Sequence, residues 1–166
     1  MEVFAKPAVA GIIEKEIDEK SYILIQDRYK ENAPKEEGLI EIPAGRVREY
    51  ENVYDCLRRE IYEETGLEVT SIVGEDESTV LELNGQKIMN YTPFASSQCI
   101  DGNYPLIVQA FICRVKGVPL LESEESQNIM WISINELSNL LTTEPEKFYP
   151  IQVATIKKYL RSKMII

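Results

Sequence analysis

Residues 45–67 read GRVREYENVYDCLRREIYEETGL, and the helix inside this stretch decides how the chain is read. Asn52 supplies an N-cap, Asp55 puts an acid in the first turn and Gly66 supplies a stop, so the pattern predicts a helix over 52–65. At about 100° per residue, Val53, Cys56, Leu57 and Ile61 share one arc, the face expected to be buried. Asp55, Arg58, Arg59 and Tyr62 share the opposite, solvated arc. Glu60, Glu63 and Glu64 fall in the apolar arc, so one stripe begins apolar and ends in three carboxylates. Like charges at i,i+3 and i,i+4 each cost a few tenths of a kcal/mol, and the helix dipole disfavours acids in the last turn. A carboxylate turned inward costs several kcal/mol more unless paired. A divalent cation offsets all three costs, and oxygen-only ligands point to a hard ion, Mg²⁺ or Mn²⁺. Taken alone, the triple also suits the solvated face of a glutamate-rich chain; the residues around it decide.

Those residues are Gly45, then Glu51, then Arg59-Glu60-Ile61, then Glu63-Glu64, then Gly66-Leu67. The spacing resembles the Nudix box of the Nudix hydrolase family, with every defining position filled. Glu41-Ile42-Pro43-Ala44-Gly45 resembles the family's lead into the box, and 131–137 (WISINEL) its late strand-to-helix segment. The resemblance implies a Nudix α/β/α sandwich, a mixed β-sheet between the box helix and a C-terminal helix, spanning 1–166 as one domain. It implies Glu60, Glu63 and Glu64 as metal ligands, with the main-chain carbonyl of Gly45 or Ala44 as a further one. Arg59 becomes a support, pairing with Asp55, Glu63 and Glu51. Catalytic work falls to Glu60 and Glu63, and to a general base that is either Glu60 or a late-loop glutamate. Among Glu122, Glu124 and Glu125 the choice is Glu125. Arg28 and Arg46 are placed to hold phosphate oxygens, and Tyr29, Tyr91, Phe94 and Tyr104 are candidates to stack on a base. Cys56 reads as a small core filler.

Outward from the box, 8–16 and 21–29 alternate as two strands joined by a turn at 18–20. A charged loop at 30–38 leads to a short apolar run, 39–42, closed by Pro43-Ala44-Gly45; further strands are expected at 68–74, 78–83, 87–93 and 106–115, a short helix at 135–141 and a C-terminal helix at 145–161. No repeat, low-complexity tract or linker divides the chain.

Composition removes whole classes of chemistry. There is no histidine among the 166 residues, which excludes Ser-His and Cys-His catalysis and imidazole-bound zinc. It also disfavours the isomerase branch of the same superfamily, whose metal site uses histidine. A net charge of −10 argues against a nucleic-acid polymer as partner. Cys56, Cys99 and Cys113 are few and scattered, which suits a reducing, cytoplasmic setting. The first apolar run, 8–13, is too short for a signal peptide, and no stretch suits a membrane span.

The expected function is metal-dependent hydrolysis of a diphosphate linkage in a nucleoside diphosphate joined to another group; the oligomeric state stays open, though a homodimer is common in the family. The alternative is a Nudix domain that binds a nucleotide without cleaving it. Pro43-Ala44-Gly45 resembles the ADP-ribose hydrolases, but their accompanying proline after the box is missing. Dinucleotides, ADP-sugars and damaged triphosphates all stay open as substrates.

Overall fold

The computed structural model describes residues 1–164; the expected domain runs 1–166, of which 165 and 166 lie outside the described residues. Strands β1 (Lys6–Ile17) and β2 (Lys20–Arg28) form a hairpin with Ile17 opposite Lys20. Asp18 and Glu19 turn it with φ of 49° and 61°, the paired left-handed geometry that matches strand twist. The short strands β3 (Ile40–Glu41) and β4 (Ala44–Arg46) flank Pro43 and pair with β2 and β1 respectively. The box helix α1 (Val53–Thr65) follows, and then β5 (Glu68–Ile72). A hairpin of β6 (Thr79–Leu83) and β7 (Gln86–Asn90) stands apart from the main sheet. The chain continues through β8 (Ala95–Gln98), β9 (Leu106–Lys116), β10 (Ser126–Ser133), α2 (Ile134–Thr143) and α3 (Pro150–Ser162).

The main sheet runs β10-β2-β1-β9-β5, with β3 on β2, β4 on β1 and β8 on β9. β1 and β9 are parallel, Lys6 opposite Leu106 and Ile13 opposite Cys113, while their other neighbours are antiparallel. The sheet is therefore mixed. The side-chain period of two along β1 sorts the core. Ala8, Ala10 and Ile12 join the cluster under α2 and α3, which includes Leu137, Ile156 and Tyr159. Val9 and Ile13 join the opposite cluster under α1, with Leu57, Ile61 and Phe111. Helices on both faces explain why Ile23, Leu24 and Ile25 are all buried in unbroken succession. The sandwich is the expected one.

Three expectations of local structure need correction. The C-terminal helix does not run from 145: a single 3₁₀ turn covers Pro145–Lys147, and α3 begins at Pro150. Pro150 has no N–H to give, and it holds Tyr149 extended at ψ 113°, so the helix can only start there. Strand β8 was not expected, because Ala95-Ser96-Ser97-Gln98 has no apolar alternation; it exists by pairing with β9. The segment before α2 is a full strand from Ser126, its pattern blurred where the register shifts between Gln127 and Met130. No helix among the described residues is long and apolar enough to cross a membrane.

Candidate active site

The end of β2, the β4 strand and the exposed rim of α1 enclose a cleft of about 890 Å³. Its walls include Arg28, Lys30, Ala44, Gly45, Arg46 and Glu60. The helix is fixed at both ends. Asn52 Oδ1 accepts from the amides of Tyr54 (3.0 Å) and Asp55 (2.9 Å), and Gly66 closes α1 at φ 73° with its N–H on the Tyr62 carbonyl.

Arg59 ties the helix to the loop before it. Its Nε and Nη2 donate to the two carboxylate oxygens of Glu51 at 2.7 and 2.8 Å, a forked pair. The same guanidinium reaches Glu60 at 2.5 Å, Glu63 at 3.2 Å and the Arg46 carbonyl at 3.2 Å. Held by Arg59 and by the Arg48 amide, the Glu51 carboxyl is pulled down to about 2. Asp55 is not a partner of Arg59, as had been expected; it takes the Asn52 side-chain amide at 2.5 Å and serves the cap.

The three box glutamates do not converge. Glu60 is buried, and its carboxylate lies so close over Gly45 that a Cβ there would overlap it. Glycine at 45 is therefore a matter of space. Glu64 is 2% exposed, its Oε2 accepting from the Ala44 amide at 3.1 Å and from Gln26 Nε2 at 2.9 Å. Glu63, expected on the buried arc, is half exposed and faces Arg48 (3.7 Å) and Arg59. It sits at the edge of the arc, beyond the reach of the sheet. Among the described residues no three acidic or thiol side chains gather as a ready metal cage. Each carboxylate is met by a cation instead, Glu60 by Arg59, Glu63 by Arg59 and Arg48, and Glu64 by Lys30.

Lys30 was not singled out in the sequence, and it is the centre of the polar interior. Its Nζ lies 2.9 Å from Glu64 Oε1, 2.8 Å from the Ala44 carbonyl and 3.1 Å from Glu125 Oε2. Glu64 Oε1 is buried and receives no directed hydrogen bond, so its contact with Lys30 is ionic. Burial pushes the Glu64 carboxyl up to about 7 against the pull of Lys30. Burial also opposes the Lys30 charge, yet Glu64, Glu41 and Glu125 outweigh it and raise the lysine above its ordinary range. Three oxygens around one cation, one of them buried with a spare lone pair, form a donor set that fits a hard divalent ion. Of the two carbonyls expected to serve, that of Ala44 faces this position.

Behind it lies a second buried carboxylate, Glu41, fully enclosed. Gln26 Nε2 bridges Glu41 (3.1 Å) and Glu64 (2.9 Å). Arg28 donates to Glu41 at 2.9 Å and to Glu36 at 2.9 Å, with its guanidinium over the Tyr149 ring. Arg28 thus lines the cleft, where it was expected to hold phosphate oxygens, and its guanidinium is paired with two carboxylates. Arg46 is exposed on the cleft wall and, among the described residues, has no ion-pair partner. The lone acid in Leu39-Ile40-Glu41-Ile42 was the sequence signal for Glu41: a charge amid apolar residues has to find a partner.

Of the candidate stacking rings, Tyr104 lines the cleft, its hydroxyl donating to the Asn32 carbonyl at 2.9 Å. Tyr91 and Phe94 are taken up by the core, against Tyr54 and Phe111 and against Tyr159. Tyr29 is half-buried and is not part of the cleft wall. Cys56 is fully buried, and burial pushes its thiol up to about 12, which leaves it a packing residue.

This sandwich and this loop–helix arrangement define a family. A model of the NUDIX domain matches residues 5–153, nine-tenths of the chain, and the protein belongs to the Nudix family. The fold is shared with a MutT protein from Methanosarcina mazei Go1, at 20% identity and TM-score 0.61 over 98% of each chain. It is shared with the NUDIX domain of Shewanella oneidensis NrtR, complexed with ADP ribose, at 12% identity and TM-score 0.66 over 99% of this chain and 90% of that one. A Caenorhabditis elegans Ap4A hydrolase matches at 12% identity and TM-score 0.55 over 97% and 99%. No curated protein sequence matches this chain significantly.

Proposed function

We propose that this chain, as one domain over 1–166, is a metal-dependent pyrophosphohydrolase acting on a nucleoside diphosphate linked to another group. The observation that carries the proposal is the all-oxygen set of Glu64, the Ala44 carbonyl and Glu125 around a single cation position at the cleft wall. Glu60, beside Gly45, and Glu63, on the rim, complete the acidic side of the cleft. These residues would hold Mg²⁺ or Mn²⁺, which supplies charge neutralisation of phosphoryl oxygens and acidifies a bound water.

The chain's own groups do the rest. Arg46, exposed on the cleft wall two residues beyond Ala44, meets phosphate charge, as Arg28 would if it parted from Glu36. Arg59, pinned by Glu51, fixes the Glu60 carboxylate against the loop. Glu125 is the proton acceptor: it is half exposed at the cleft mouth, and its main-chain carbonyl is anchored by the Tyr29 amide at 2.9 Å. The proposal extends to a cytoplasmic protein that pairs as a homodimer, and sedimentation measures the pairing.

The test is a panel of ADP-ribose, dinucleoside polyphosphates, ADP-sugars and oxidised nucleoside triphosphates, with Mg²⁺ or Mn²⁺ and with chelator. Metal-dependent release of phosphatase-sensitive phosphate is expected from at least one member. Binding of a nucleotide with no turnover across the panel identifies a sensing domain instead.

A further inference from the structure

The cation already present among the proposed ligands is a lysine, and its position carries a consequence for metal loading. Lys30 Nζ is within 2.8 to 3.1 Å of three oxygens contributed by the β4 strand, α1 and the loop before β10. Only 17% of the Lys30 side chain is exposed, so the ammonium is seated and not simply passing over the surface. Glu64 is buried, and among the described residues no other cation lies within ion-pair distance of it. Without Lys30 its charge would stand alone beside Glu41, an arrangement that a fold tolerates poorly.

A divalent ion bonded to Glu64 Oε1 at about 2.1 Å lies no more than about 5 Å from the present Nζ. The ion and the ammonium would then compete for the same lone pairs and repel each other across a poorly hydrated space. The exit is open, because Lys30 sits on the cleft wall beside Arg28, Ala44 and Glu125, on a flexible four-carbon stem.

Resting on the metal-dependent reading above, we propose that Lys30 is a resident stand-in for the metal. Its ammonium balances Glu64, draws in Glu125 and donates to the Ala44 carbonyl in the metal-free protein. Divalent cation binding expels it into the cleft, where it becomes a hand for a substrate phosphate. The exchange keeps the buried carboxylates compensated in both states. It also delivers a positive charge to the substrate side only once the metal is in place.

The lysine side-chain ammonium of the ¹⁵N-labelled wild type reports the exchange directly. In metal-free protein Lys30 gives a protected Nζ–H signal, assigned by its loss in Lys30→Arg, and Mg²⁺ titration abolishes that signal as the ammonium enters water. In parallel, Lys30→Met binds Mn²⁺ at least about tenfold more tightly than wild type by calorimetry, because the competing charge is gone. A protected Lys30 signal that persists while Mg²⁺ demonstrably binds overturns the proposal and leaves the metal-dependent reading standing. So does equal or weaker Mn²⁺ binding by a folded Lys30→Met. If Lys30→Met does not fold, the wild-type titration decides alone. Absence of any Mg²⁺ or Mn²⁺ binding overturns the metal-dependent reading as well.

Discussion

Gly45→Ala separates the chemistry of the site from the stability of the fold. Gly45 lies in β4 opposite Val9, so its backbone accepts alanine, and the loss of unfolded-state freedom favours the variant by about 0.4–1 kcal/mol. The added methyl overlaps the Glu60 carboxylate, which has to retreat by about 1.5 Å to regain ordinary contact. That retreat breaks the Arg59–Glu60 pair, worth about 1 kcal/mol at this depth, while Arg59 keeps both contacts to Glu51. The terms nearly cancel, and the melting midpoint without metal stays within about 4 °C of wild type. Function does not escape. With Glu60 displaced, turnover falls by at least about 10²-fold, the scale of one misplaced electrostatic group. The metal-dependent rise in midpoint, about 2.7 kcal/mol of stabilisation for wild type at a hundredfold excess over Kd, shrinks toward zero. Thermal melts across a Mn²⁺ titration and steady-state turnover measure both sides. Wild-type turnover and wild-type metal stabilisation in Gly45→Ala would refute the placement of Glu60 at the site.

Glu63→Gln lowers turnover by at least about 10²-fold in steady-state assays, while urea unfolding without metal changes by less than about 0.5 kcal/mol because the side chain is half exposed. Glu125→Gln lowers kcat but keeps most of the metal-dependent rise in melting temperature, because the half-exposed side chain still offers an amide oxygen to the metal position, whereas Glu60→Gln loses both; a near-wild-type kcat in Glu125→Gln moves the base to Glu60. Glu51→Gln costs about 1 kcal/mol near neutral pH, since the Arg59 pair holds the folded carboxyl at about 2. A carboxyl depressed in the folded state stabilises above its ordinary range and loses that contribution on acidification. The gap between variant and wild type should therefore close between about pH 4.5 and pH 2 in urea unfolding curves; a gap independent of pH would sink the assignment.

The fold was legible in the sequence wherever one force dominated. Asn52, Gly66 and the apolar arc of Val53, Cys56, Leu57 and Ile61 mark α1 by capping and burial, and all four apolar residues are buried. The same periodicity misplaced Glu63, because a wheel reports angle and not how far the sheet beneath extends. Strand β8 was invisible because pairing, not pattern, makes it. Glu60, Glu64 and the Arg59–Glu51 clamp were legible from spacing within one helix and its leading loop. Lys30, Gln26 and Glu41 were not, since they reach Glu64 across 34, 38 and 23 positions of sequence, and only the β1–β4 and β2–β3 pairings bring them together. The pairing of Arg28 was hidden for the same reason: its partner Glu41 lies on the neighbouring strand.

Hydrolysis in ¹⁸O-labelled water tests the central claim most directly. The protein is incubated with the panel substrate that turns over, in Mg²⁺ and in chelator, and both products are weighed by mass spectrometry. The account predicts one ¹⁸O in a phosphoryl group of one product, with turnover abolished by chelator and restored by Mg²⁺ or Mn²⁺. Turnover that persists in chelator, or label on carbon rather than phosphorus, would contradict it.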